Sequence, residues 1–110
     1  MVIESVDKEP TVSIIDWSIH AVKFSNNDKS EHLMGFVPGK MGRVTSAIKG
    51  FDANTRKITT FSGRVYTLIG LPGDCEDAAY VWLLWKKMNG VVQDKNVTDK
   101  YVTQIKNLLM

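Results

Sequence analysis

The sequence predicts an α+β fold: a curled antiparallel sheet of about five strands, tending to a barrel, followed by a long and a short C-terminal helix. Three observations predict it. Residues 11–69 alternate apolar and polar side chains in short runs divided by turn-forming clusters. Residues 74–90 carry a complete set of helix start and stop signals. A second segment, 98–109, repeats apolar residues at helical spacing. At 110 residues the chain is expected to form one domain, and a domain of that size buries roughly 65% of its unfolded surface without a metal or disulfide.

Residues 1–10 are polar, end in Pro10 and predict a loose N-terminal arm. Residues 11–24 predict a first strand with Ile15, Trp17, Ile19 and Ala21 on one face. Val22 and Phe24 have the other parity, which predicts a bulge or change of face near Ala21. The run SNNDKS at 25–30 is a turn, and 31–37 returns as an antiparallel strand. After the loop Pro38-Gly39-Lys40-Met41-Gly42, residues 43–51 predict the third strand. Asp52-Ala53-Asn54-Thr55 suits a four-residue turn, since Asp favours its first corner and Asn tolerates a left-handed backbone. Residues 56–61 form the fourth strand. Ser62-Gly63 marks a bend before the fifth, at 64–69.

Gly70-Leu71-Pro72-Gly73 stops that strand and Asp74 is the expected cap of the long helix. Glu76 and Asp77 in its first turn, and Lys86 and Lys87 in its last, suit the helix dipole. Asn89-Gly90 supplies a left-handed stop, with Val91 as its apolar contact. Ala78, Val81, Trp82, Trp85 and Met88 share the expected buried face, with Trp17 beneath Trp82 or Trp85. Tyr80, Leu83 and Leu84 widen the apolar surface beyond a normal stripe. The short helix places Val102, Ile105 and Leu109 on one face.

Composition is that of an ordinary globular protein, 44% hydrophobic and 24% charged, which argues against disorder. No apolar run is long enough to span a membrane, and the acidic residues in MVIESVDKEP are unlike a secretory signal; a cytoplasmic location is expected. The formal charge of +2 hides an asymmetry. Residues 40–64 hold six basic residues against Asp52, while the remainder of the chain sums to −3. Lys40, Arg43, Lys49, Arg56, Lys57 and Arg64 are therefore the expected contacts for nucleic acid or an acidic protein surface. Phe61 and Tyr66 are available to stack a base. The bland alternative is a solvated sheet face whose lysines discourage aggregation.

Catalysis is not expected. The single cysteine, Cys75, falls at a helix N-terminus, where a thiolate is favoured, but Asp74, Glu76 and Asp77 oppose that charge. His20 and His32 are the only histidines; if the first two strands pair they would meet, and with Glu31 or Asp28 nearby could hold a metal ion, but exposed, unliganded histidines are the expected outcome. No cofactor or metal is expected. An enzyme using Cys75 or His20 and His32 is the distant alternative. Gly39-Lys40-Met41-Gly42-Arg43 lacks the spacing and the following helix of a phosphate loop.

The stretch Thr60-Phe61-Ser62-Gly63-Arg64-Val65-Tyr66-Thr67-Leu68, continued by Gly70-Leu71-Pro72-Gly73 and Ala79-Tyr80-Val81-Trp82-Leu83-Leu84-Trp85, resembles a set of small bacterial accessory and mobile-element proteins sharing T-x-S-G-R-x-Y-x-L-x-G-x-P-G. The resemblance covers residues 43–91 and implies an accessory role, such as an inhibitor, an immunity-type binder or a regulator, without implying a substrate. The leading expectation is a small non-enzymatic binding domain contacting nucleic acid or nucleoprotein through residues 40–64. The alternative is a protein-interaction module acting through an apolar helix face at Tyr80 and Leu83, homodimerisation included.

Overall fold

The computed structural model describes residues 5–108. Its elements run β1 (Thr11–Phe24), β2 (Lys29–Val37), β3 (Met41–Asp52), β4 (Lys57–Thr60), β5 (Val65–Leu68), α1 (Glu76–Met88), β6 (Val91–Asn96) and α2 (Thr98–Leu108). The fold is α+β, as the sequence predicts. Strands β1 to β5 pair in succession and the ring closes through a parallel pairing of β1 with β5, Thr11–Ile14 against Val65–Leu68. All other pairings are antiparallel.

The length of β1 explains the closure. One edge carries β2; the other carries β5 on its first four residues and β6 on His20–Phe24. Between those stretches Asp16 takes a left-handed backbone, φ 48°, and the β1–β2 register slips. This irregularity at Asp16 adds to the expected change of face near Ala21. There burial passes from Trp17 and Ile19 in the barrel to Val22 and Phe24 under α1, and the β1–β6 register slips between Lys23 and Phe24. The slip at Asp16 changes the inward parity from Val12 and Ile14 to Trp17 and Ile19, all of which are buried. β6 is a strand the sequence does not announce: its six residues VVQDKN are almost wholly exposed, so no alternation marks them.

Two separate cores result. Inside the barrel, Val12, Ile14, Trp17, Ile19, Leu33, Ile58, Tyr66 and Leu68 pack together, and Tyr101 of α2 closes one end against Ile48 and Phe51. Each such fully buried large side chain contributes roughly 1.5–3 kcal/mol. Outside the barrel, α1 lays Ala78 and Trp82 on Val22 and Met34, with Phe24, Val44 and Trp85 around them. Trp17 thus belongs to the barrel interior and is not beneath the helix tryptophans, which stack on each other at 5.3 Å and 7°. Met88, expected on the buried face, is 84% exposed.

The helix signals are largely as read. Gly90 is left-handed at φ 67°, and the acidic first turn and basic last turn are in place. The cap is Cys75, whose Sγ accepts from the Ala78 N–H, in place of Asp74. The N-terminal arm is pinned from residue 5 onward. The Lys8 and Glu9 amides donate to the Ser5 carbonyl, Pro10 O accepts from Val65 N at 2.8 Å, and Glu9 O accepts from Arg64. The first part of the expected arm, residues 1–4, and Leu109 on the last helix lie outside the described residues. Among the described residues no helix is long and apolar enough to cross a membrane.

Candidate functional site

Four of the six cations in residues 40–64 are turned to internal tasks. Arg43 faces the barrel interior, opposite Gly35 on β2, and is 1% exposed. Arg64 is also buried, and its Nε donates to the Glu9 carbonyl at 2.9 Å. Lys40 pairs with the Glu9 carboxylate at 2.7 Å. Arg56, left-handed at φ 57°, donates to the Gly70 carbonyl. Tyr66 is 3% exposed and belongs to the core, so it presents no ring to a base. Only Lys49, Lys57 and Phe61, the last 69% exposed, keep the surface position the sequence suggests. Alternation counted straight through β3 fails because its register slips between Ile48 and Gly50.

Beyond the barrel, β2, β1 and β6 continue side by side as a three-stranded ribbon. Its even positions on β1, His20, Val22 and Phe24, face α1: Val22 and Phe24 pack with its side chains, and His20 stands 5.2 Å from the Trp82 ring. Its odd positions, Ala21 and Lys23, point to the opposite face. There Lys23 is paired directly with Lys29 across β1–β2, and Ala21 sits between Glu31 and Lys95. Lys23, Lys29 and Lys95 line a groove of about 810 Å³ that also touches Gln93, Glu31 and Asp94, both carboxylates being engaged by other donors. None of the three lysines has an ion-pair partner among the described residues.

Glu31 is the wall at the groove's end. It receives Lys100 and the Tyr101 hydroxyl from α2. Burial alone would raise its pKa, but these two donors outweigh burial and hold the carboxyl below its ordinary range. Past Glu31 a second depression continues along Lys49, Gly50 and Phe51 of β3 and Lys100 and Gln104 of α2. A band of lysines thus follows the ribbon and the barrel end. Sequence reasoning missed it because Lys95, Lys49 and Lys100 come from elements far from the first two strands in the chain. The available signal was the pair Lys23 and Lys29, flanking one turn at nearly equal distance.

His20 and His32 are direct cross-strand partners, as a paired hairpin would place them, but they serve different contacts. The His20 Nδ1 lies 2.8 Å from Asp94 Oδ1. His32 is held by the Thr45 carbonyl at 2.9 Å and the Ser30 hydroxyl at 2.7 Å, with its ring 4.5 Å from Trp85. A carbonyl only accepts, so His32 Nδ1 carries the proton. Asp94 also receives Trp82 Nε1 and Lys86 Nζ, both at 3.0 Å. Burial would raise the Asp94 pKa, yet hydrogen bonds from His20, Trp82 and Lys86 together set it below the ordinary value. Cys75 and His20 do line one small groove under α1, but the sulfur is engaged as its own helix's cap. Among the described residues no three metal-binding side chains cluster.

The outward side of α1 presents Tyr80, Leu83 and Leu84, 66%, 54% and 44% exposed; the short last helix, which could have covered this surplus apolar surface, closes the barrel end instead. Compared with protein families, curated proteins and solved structures, the chain matches none.

Proposed function

We propose that this chain is a non-enzymatic binding domain that holds the phosphate backbone of nucleic acid in the lysine groove. One observation carries the reading: Lys23 and Lys29 are directly opposed across two paired strands with no acidic residue between them. Like charges so placed repel, and a polyanion converts that repulsion into attraction. Lys95 beyond Ala21, and Lys49 in the adjoining depression, extend the same positive band. Lysines suit this role as mobile point charges that track phosphates without reading bases. The reading moves the contact away from residues 40–64, of which Lys49 alone borders the groove system.

The test is fluorescence anisotropy of labelled single-stranded and duplex oligonucleotides at several salt concentrations. Three or four phosphate contacts give a slope of about −2 to −4 in log K against log salt. Lys23→Glu with Lys29→Glu should abolish binding and leave the far-ultraviolet circular dichroism unchanged. Absence of binding at low salt, or binding indifferent to the double variant, overturns the reading. Equal affinity for polyglutamate and for oligonucleotide overturns it in favour of an acidic protein surface.

A further inference from the structure

We propose that α1 is a self-association surface, on which a second copy of this chain packs its own α1 antiparallel about a two-fold axis near Leu83 and Leu84. Ala78 and Trp82 are buried against the sheet. That leaves Tyr80, Leu83, Leu84 and Met88 on the outward side, all exposed. Their spacing of three, four and eight residues is one stripe on a helix surface. A stripe of large apolar side chains on the middle of a helix marks an interaction site.

The charges at the stripe's ends say what covers it. Glu76 and Asp77 stand exposed at the N-terminal end and Lys87 at the C-terminal end; Lys86 is engaged by Asp94 on the inner side. A two-fold axis between Leu83 and Leu84 brings Tyr80 of one copy against Lys87 of the other. Glu76 and Asp77 then lie three to four residues, about 4.5–6 Å along the axis, from the level of the mate's Lys87, within reach of its long side chain. Such self-complementarity is what an isologous contact requires, and the opposed macrodipoles favour it. α1 is 13 residues long, about 20 Å, so the contact is smaller than a standard interface and the association is expected at ~10–100 μM. The surface lies on the face of the ribbon opposite the lysine groove, so it stands or falls independently of nucleic-acid binding.

Sedimentation equilibrium of the whole chain, from micromolar to millimolar concentration, tests the proposal. A monomer–dimer equilibrium is expected, abolished by Leu84→Glu, whose site is exposed and whose fold is checked by circular dichroism. Glu76→Lys and Lys87→Glu should each weaken self-association at least several-fold, and mixing the two variants should restore dimers. A monomer at every concentration overturns the proposal, as does a dimer indifferent to Leu84→Glu. A mixture of the charge variants that associates no better than either alone overturns the antiparallel arrangement.

Discussion

Gly42 of β3 lies directly under Ala78 of α1: a methyl group on Gly42 would stand 2.4 Å from the Ala78 nitrogen and 2.5 Å from the Asp77 carbonyl carbon. The helix backbone seats against bare strand at this point, so nothing flexible can yield. Gly42→Ala is expected to lower stability by about 1–3 kcal/mol or more, the usual cost of overpacking, measured by urea denaturation. Gly50, on the same strand, has nothing near its missing side chain. Gly50→Ala should be neutral or gain about 0.5–1 kcal/mol. Equal effects of the two substitutions would contradict this account of the α1 seat.

His32 sets the first step of acid destabilisation. Burial pushes its pKa below the ordinary imidazole value, and the hydrogen bond to Thr45, which acts the other way, does not compensate. With the folded pKa depressed, the unfolded chain takes up the proton first. Stability is fully present above about pH 6.5 and declines as pH falls through the folded value. Asp94 and Glu31 are likewise held low, so a second decline follows below about pH 4. Thermal melts across pH 8 to 3 should show both steps, and His32→Gln should remove the first alone. A wild-type profile flat between pH 7 and 5 would exclude the role given to His32.

The architecture was legible where local chemistry decides it. The strand runs, the Gly63 bend at φ 92° and the Gly90 stop all follow from side chains acting on their own backbone. What the sequence could not show depends on non-local pairing. The parallel closure of β1 on β5 needs residues more than fifty apart. Nothing at Asp16 or Ile15 signals a parity change, so alternation places Trp17 and Ile19 correctly inward but not Val12 and Ile14 before them. The same limit governed the site. A run of six basic residues looked like a surface, yet the closed ring turns two of its arginines inward, while Lys95 joins Lys23 and Lys29 only once β6 lies beside β1.

Binding and stability should oppose each other at Lys29. If the Lys23–Lys29 pair is retained for a ligand, removing one charge relieves repulsion in the free protein. Lys29→Gln is expected to raise stability at low salt by about 0.2–1 kcal/mol, with the gain shrinking as salt is added. The same variant should lose oligonucleotide affinity and lower the salt slope by about one. Chemical denaturation and anisotropy on one preparation measure both. Loss of stability together with retained binding would remove the pair from the site.

Arg43 presents the reverse case, a charge whose removal should help the fold. None of its three side-chain nitrogens has a hydrogen-bond partner, although all are buried. Its nearby counter-charge, Glu9, is engaged elsewhere: the Lys40 hydrogen bond first, with the charges of Lys40, Arg43 and Arg64, holds the Glu9 carboxyl below its ordinary range. Losing Arg43 would therefore leave the Glu9–Lys40 pair intact. Replacing buried ionic groups by apolar side chains of similar volume is often neutral or stabilising by about 1–4 kcal/mol, and here no side-chain hydrogen bond is lost. Arg43→Met is accordingly expected to raise the urea midpoint. Glu9→Gln should lower it, because Lys40 then loses its ion-pair partner and Arg43 its nearby counter-charge. A large loss of stability in Arg43→Met would mean that the guanidinium is satisfied in solution, and would reverse the assignment of this residue as a strained passenger of the barrel interior.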